Sequence, residues 1–320
     1  MTPEDFADIV ADAALSPTVH NVQPTLWRRI DAGTVAVLQA EGRTLPVGDP
    51  TGRDVAASHG SAVEGFLIAA GARGLAFVAE AGEDGEIARL RATGSASPDP
   101  LAPVLRTRRT WRGKFAESPA PGVLETLTAT APDLTVLSEA DDIAAVAALN
   151  DVASLKGFRD HGFRRELLAW MRLSRGHPLW AVDGLNAEAM GMSGMEAFGA
   201  GIVLRPRVFE TLDRLGMAGA LTGEAAVVRS AAAVALFHRP ADEPPFDTGR
   251  RWHRVWLEMA RLGLSAAPMT VLADDPEAEA ALAMRFGRPA GTRLVTVFRL
   301  GLPIGDLPAP ARRSVDDLIV

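Results

Sequence analysis

Residues 49–81 read DPTGRDVAASHGSAVEGFLIAAGARGLAFVAEA. A polar lead-in is followed by a helix rich in small residues through Ala70, a break at Gly71 to Gly74, and a strand from Leu75 to Ala79. Far downstream, residues 247–272 read DTGRRWHRVWLEMARLGLSAAPMTVL. Both stretches begin with Asp and Thr-Gly-Arg, run through a helix and end in Gly-Leu ahead of a short apolar segment. Aligned on Thr-Gly-Arg, the two helices differ by about two turns. Either each half of the chain carries one copy of the same core helix, or the likeness is coincidence; the spacing alone leaves both open.

The 320 residues suffice for one large domain or two smaller ones, and 48% apolar with 23% charged residues is the balance of a water-soluble globular chain. A net charge of −7 argues against a general nucleic-acid binder, which needs a basic surface. The chain has no cysteine, so disulfides, thiolate nucleophiles, iron–sulfur clusters and thiolate zinc sites are excluded, and redox chemistry would need a bound cofactor. MTPEDFADIV has no basic segment leading into an apolar run, and no stretch approaches the ~18 apolar residues of a membrane span. A cytoplasmic protein is expected.

Outward from the repeat, Thr2 is an N-cap, Pro3 suits the first helical position, and Phe6, Ile9, Val10, Ala13 and Ala14 form an apolar stripe that Pro17 ends. Leu26 to Ile30 and Val35 to Ala40 read as a hairpin turned at Asp31, Ala32 and Gly33. SASPDPLAP, Ser95 to Pro103, is the linker, dividing the chain into 1–103 and 104–320. A helix from about Val123, a strand at Leu134 to Leu137 and helices at Ile143 to Leu155 and Phe163 to Leu173 follow. Ala231 to Phe237 and Leu294 to Leu300 read as strands, Asp275 with Pro276 starts a helix, and the tail PAPARRSVDDLIV is expected to dock.

Residues 176–223 break this regularity. Met190, Met192, Met195 and Met217 lie among glycines at 184, 191, 194, 199 and 201, the composition either of a mobile cover over a flat ligand or of a loosely patterned core segment. RTRRTWRGKF, Arg106 to Phe115, packs four arginines and a lysine. Arg108, Arg109, Thr110 and Arg112 offer the charge-assisted donors a phosphate monoester needs, or form a solvated basic turn. The histidines at 20, 59, 161, 177, 238 and 253 lack metal-ligand spacing, and no metal is expected. His20 either reaches a ligand or packs. The chain has neither a phosphate loop nor a nucleophile elbow, and Gly199-Ala200-Gly201 is too short for a dinucleotide fingerprint.

SPTVHNVQPTLW, Ser16 to Trp27, resembles the P-S-x-x-N-x-Q-P-W loop by which the nitroreductase family holds one edge of FMN. Pro17, Thr18, Asn21, Gln23 and Pro24 match, with Trp27 two places late. RRTWRGKF resembles that family's phosphate-binding segment. The resemblance implies that Arg108 and Thr110 meet phosphate or ribityl oxygens, that Arg109 belongs to the same cofactor-binding set, and that Arg112 faces flavin N1 and O2. It also implies that Arg312 and Arg313 close on the phosphate, and that a loop at Pro268, Met269 and Thr270 offers an N–H to flavin N5. This last stretch departs from the commoner glutamate-glycine or glycine-glycine pair.

The order of these parts is similar to the Acg-like branch of the family. It implies an α+β, nitroreductase-like layered sheet with flanking helices, two degenerate halves forming an internal pseudo-dimer, and one FMN per chain, with monomer and homodimer both open. The implied activity is hydride transfer from NAD(P)H through FMN to a quinone, nitro-aromatic or similar small-molecule acceptor, with the chemistry carried by FMN and no catalytic side chain. The alternative is an FMN-sequestering protein with a lid at 176–223. Nucleic-acid binding through Arg106 to Lys114 ranks last.

Overall fold

The computed structural model describes residues 1–116 and 118–320. Thr2 opens the first helix, α1 (Pro3–Ala13): its hydroxyl accepts the Asp5 N–H and the Asp5 carboxylate accepts the Thr2 N–H, each at 3.1 Å. Phe6, Ile9, Val10 and Ala13 are buried, as their spacing requires. The hairpin follows as β1 (Thr25–Arg29) and β2 (Thr34–Gln39), with Asp31 Oδ1 accepting the Gly33 N–H at 2.7 Å in the turn. The long helix is α2 (Arg53–Ala72), whose first turn is held by Asp49 Oδ2 accepting the Asp54 and Val55 N–H groups at 2.9 and 2.8 Å. Gly74, at φ 78°, turns the chain into β3 (Leu75–Ala81).

The next strand, β4 (Ala88–Ser95), is absent from the sequence reading. It completes an antiparallel sheet of order β1-β2-β4-β3. Against it α1 and α2 bury a core in which Trp27 stacks on Phe66 with centroids 5.1 Å apart.

The second sheet starts with α3 (Val123–Thr130) and β5 (Leu134–Leu137). A largely helical insertion follows: α4 (Ala140–Arg159), α5 (His161–Trp170), the short parallel pair β6 (Met171–Arg172) and β7 (Leu185–Asn186), α6 (Gly194–Val203), α7 (Pro206–Arg214), α8 (Ala218–Thr222) and α9 (Ala225–Val228). The sheet then resumes with β8 (Ala233–Pro240), α10 (Pro245–Arg261), β9 (Ser265–Met269), α11 (Val271–Asp274), α12 (Pro276–Phe286) and β10 (Thr292–Gly301). Its order is β5-β8-β10-β9, again antiparallel throughout.

Both sheets therefore run strand, strand, helix, strand, strand in sequence, and both place the fourth strand between the second and third. The two central helices cross in close contact. A Cβ on Gly60 would stand 1.8 Å from the Phe246 carbonyl oxygen, and one on Gly249 would stand 1.9 Å from the Ala57 carbonyl oxygen, so only glycine fits at either place. Each lies at the same spacing ahead of the left-handed glycine that ends its helix, Gly74 and Gly263.

This corrects the register of the sequence likeness. Asp247 to Arg250 lie inside α10, whereas Asp49 to Gly52 precede α2, so the partner of Gly249 is Gly60 rather than Gly52. Backbone contact at the crossing, not the Thr-Gly-Arg triplet, sets the correspondence.

The tail docks on the first sheet. Leu318 is buried, the Trp27 N–H donates to Leu318 O at 2.8 Å and the Val320 N–H to Trp27 O at 2.9 Å. Among the described residues no helix is long and apolar enough to cross a membrane.

Candidate functional site

Three residues of the loop after α1, His20, Asn21 and Gln23, hold φ of 42°, 55° and 50°. Asp84 is the one other non-glycine residue with positive φ among the described residues. Such strain persists where surrounding contacts over-determine the backbone, and it concentrates at ligand sites. Here the arginines supply part of those contacts, chiefly at the start of the loop. Arg108 Nη2 donates to Leu15 O at 2.8 Å, and Arg312 Nε donates to Ala14 O at 2.6 Å while its Nη1 donates to Asn21 Oδ1 at 2.9 Å. The opening loop and the arginines of the second half and the tail thus meet in one place.

Arg108 is 3% exposed, so it is no solvated basic turn. Its guanidinium lies 4.6 Å from the centroid of the Trp256 ring, and its Nε and Nη1 have no hydrogen-bond partner. Among the described residues no carboxylate lies within ion-pair distance of Arg108, Arg109, Arg112 or Arg312. Burial, then the charges of Arg312 and Arg109, push Arg108 down to about 9, and burial, then Arg109, pushes Arg312 down to about 10. Burial likewise lowers Arg109 and Arg112. Cations destabilised in this way are what a polyvalent anion relieves.

Two histidines border the cluster. His253 Nδ1 lies 2.8 Å from Ser61 O and 3.3 Å from Ser16 Oγ, and burial, then Arg108, holds its pKa at about 3. Burial, then Arg112, holds His20 at about 4, and its Nδ1 has no partner. Both are neutral at pH 7. Beneath the loop a cavity of about 20 Å³, lined in part by Ser16, Thr18, Gln23 and Thr25, has room for one water.

Residues 181–191 lie across the cluster as a strap. Arg312 N–H donates to Ala181 O at 3.0 Å, Gln23 Nε2 to Val182 O at 2.8 Å, Asn21 Nδ2 to Gly184 O at 3.1 Å and Arg112 Nη1 to Ala189 O at 3.2 Å. Asp183 anchors it: one carboxylate oxygen accepts from Arg172 Nη2 at 2.7 Å, the other from Arg43 Nη1 at 3.1 Å, and the same Arg43 nitrogen donates to Val22 O at 2.7 Å.

Asn21 and Gln23 are therefore occupied by protein. Asn21 Nδ2 also donates to Ala311 O at 3.1 Å, and Gln23 Oε1 accepts the Arg313 N–H at 2.9 Å. They fasten the loop to strap and tail. Thr18 Oγ1 accepts the Gln23 N–H at 3.2 Å, and Pro17 is half-buried beside it. Thr110 bridges to Ala266 through the backbone, and Arg109 Nη1 donates to Arg108 O at 2.8 Å. Arg313 parts from the cluster: its Nη2 donates to Asp317 O at 2.6 Å.

The loop expected at Pro268, Met269 and Thr270 is instead strand through Met269, with α11 beginning at Val271, because β10 pairs with Pro268 and Met269 through Phe298 and Val297. Pro268 is tolerated there because β9 is an edge strand. Met269 packs in the core with Leu272 and Val297.

Arg299, 2% exposed, escapes the sequence reading although a charge inside the apolar run Leu294 to Leu300 marks it. It donates to Arg112 O at 2.7 Å and Gly113 O at 2.9 Å, fixing the backbone that carries Arg112. Asp183, Arg43 and Arg172 escape it too; only the fold brings them together. Among the described residues no cluster of acids and histidines could hold a metal ion.

No family model matches the chain, and no curated protein matches it. Solved structures that it is similar to include a nitroreductase with bound FMN from Bacteroides fragilis NCTC 9343, at 12% identity and TM-score 0.38, covering 66% of this chain and 92% of that one. An FMN- and NADPH-dependent nitroreductase from Sphigopyxis sp. strain HMH gives 16% and 0.38, covering 69% and 98%. A BluB-like flavoprotein from Clostridium difficile 630 gives 15% and 0.37, with the same coverage.

Proposed function

We propose that the chain is an FMN-binding oxidoreductase of nitroreductase type, passing hydride from NAD(P)H to a quinone, nitro-aromatic or similar acceptor. One observation carries the reading: the buried Arg108, with two unsatisfied nitrogens, and the half-buried Arg109, Arg112 and Arg312, none with a carboxylate partner among the described residues, meet a strained loop from the other half of the chain. These donors fit a phosphate monoester. Arg108, Arg109 and Arg312 would hold it, and Arg112, fixed by Arg299, would face the ring system as a permanent cation. FMN, when bound, supplies the hydride chemistry; the chain supplies charge, shape and exclusion of water.

The matching strand orders and the paired glycine crossing support a fused pseudo-dimer that makes one site between its halves, in a cytoplasmic protein either monomeric or homodimeric. Purified protein should be yellow, with the flavin bleached by anaerobic NADH or NADPH. A colourless protein that takes up no FMN on reconstitution overturns the reading.

A second reading is favoured by the strap. Residues 181–191 lie on the opening loop and Arg112, which supports an FMN-sequestering protein with little turnover. Yellow protein reduced by neither nicotinamide decides for it.

A further inference from the structure

A groove of about 660 Å³ runs along the outer side of the strap. Leu173, Trp180 and Met192 form one side, Phe198 and Ile202 of α6 the other, and Arg205 stands where α6 gives way to α7. Gly201 keeps its wall close to Leu173: a Cβ there would meet Leu173 Cδ1 at 3.2 Å.

Two features of its lining suit a ligand. Phe198 is 72% exposed and Ile202 37%, so large apolar groups face water beside a concave wall, an arrangement that burial against an apolar molecule would stabilise. The charge there is also unbalanced. Arg175 is paired with Glu188 at 3.2 Å, whereas Arg205 donates only to Gly201 O at 3.1 Å and, among the described residues, has no carboxylate within ion-pair distance.

We infer that this groove is a binding site for an amphipathic carboxylate, an aliphatic or aromatic acid whose anionic end pairs with Arg205 while its apolar body lies along Phe198, Ile202 and Trp180. A guanidinium favours a planar carboxylate that it can engage with two parallel hydrogen bonds. The volume is that of pockets holding drug-sized molecules, on the order of 300–1,000 Å³. The inference is independent of the flavin reading, since no residue of the groove belongs to the arginine cluster.

Full-length protein, titrated with dodecanoate, dodecanol and dodecyltrimethylammonium below their micelle concentrations, tests it by calorimetry and by tryptophan fluorescence. Dodecanoate should saturate at about one per chain and bind about tenfold more tightly than dodecanol, the worth of one charge-assisted contact. Arg205→Gln should bring dodecanoate down to the level of dodecanol, Phe198→Ser should weaken both, and Arg207→Gln, outside the groove, should change neither. All three positions are exposed, so the variants keep the fold, and unchanged circular dichroism checks this. Absence of saturable binding overturns the inference, as does indifference of dodecanoate to Arg205→Gln. Self-association abolished by Phe198→Ser, without dodecanoate binding, assigns the groove to a second copy of the chain and overturns it as well.

Discussion

The Arg108 guanidinium donates to the Leu15 carbonyl at 2.8 Å while two of its other nitrogens remain without a partner in the interior. An unpaired buried cation is a liability to the folded chain unless an anion joins it. Arg108→Met should therefore leave the melting temperature of flavin-free protein unchanged or higher, since Leu15 O keeps Arg312 Nη2 at 3.3 Å. The same variant should weaken FMN binding by about a hundredfold, the loss of two charge-assisted hydrogen bonds. Thermal unfolding and equilibrium dialysis on one preparation separate the two effects, and a fall in both would make Arg108 purely structural.

Gly60→Ala places a methyl group into the backbone of α10 and should remove more than about 3 kcal/mol, or prevent folding. Gly157→Ala, on α4 with nothing within 4 Å of the added Cβ, should instead stabilise by about 0.4–1 kcal/mol. Urea unfolding reads both. Equal effects would mean that the helix crossing tolerates separation.

Asp183→Ala strips the carboxylate partner from Arg172 and Arg43. Removing one member of a buried pair costs about 3–5 kcal/mol. The loss should be local, with amide exchange accelerating across residues 181–191 and protection of β8 and β10 unaltered. Exchange that stays slow in the strap would show that its backbone hydrogen bonds alone hold it.

Burial depresses His20 and His59 to about 4 and His253 to about 3, against an ordinary 6.5. Below pH 6.5 the unfolded chain takes up these protons and the folded chain does not, so stability is whole above 6.5 and is lost as pH falls toward 4. Each histidine contributes at most about 1.4 kcal/mol per pH unit in that window. Denaturant unfolding at pH 7 and pH 5 should show the loss, and His253→Asn should reduce it. An unchanged slope in the variant would mean that carboxylates dominate the acid limb.

The elements legible in the sequence were those whose signals are local. The Thr2 cap, the Asp31 turn, the strand at Leu134 to Leu137 and the helix begun by Asp275 and Pro276 appear where residue chemistry puts them. The strand Ala88–Ser95 was hidden because its inward residues are Ala88 and Leu90 between arginines, a weak alternation. The convergence of Arg108 and Arg312 on the opening loop was legible only through family resemblance, since nothing in a run of arginines says whether it is buried. The contacts of Asn21 and Gln23 with strap and tail were hidden because an amide that can grip a cofactor grips a backbone equally well.

The insertion between β5 and β8 also bears on the order of assembly during synthesis. All four strands of the first sheet lie within residues 1–95, yet the glycine face of α2 has no partner until α10 has emerged. A nascent chain stalled before Pro245 should be clipped by protease near Gly60, and one stalled far enough beyond Arg261 for α10 to clear the ribosome should resist.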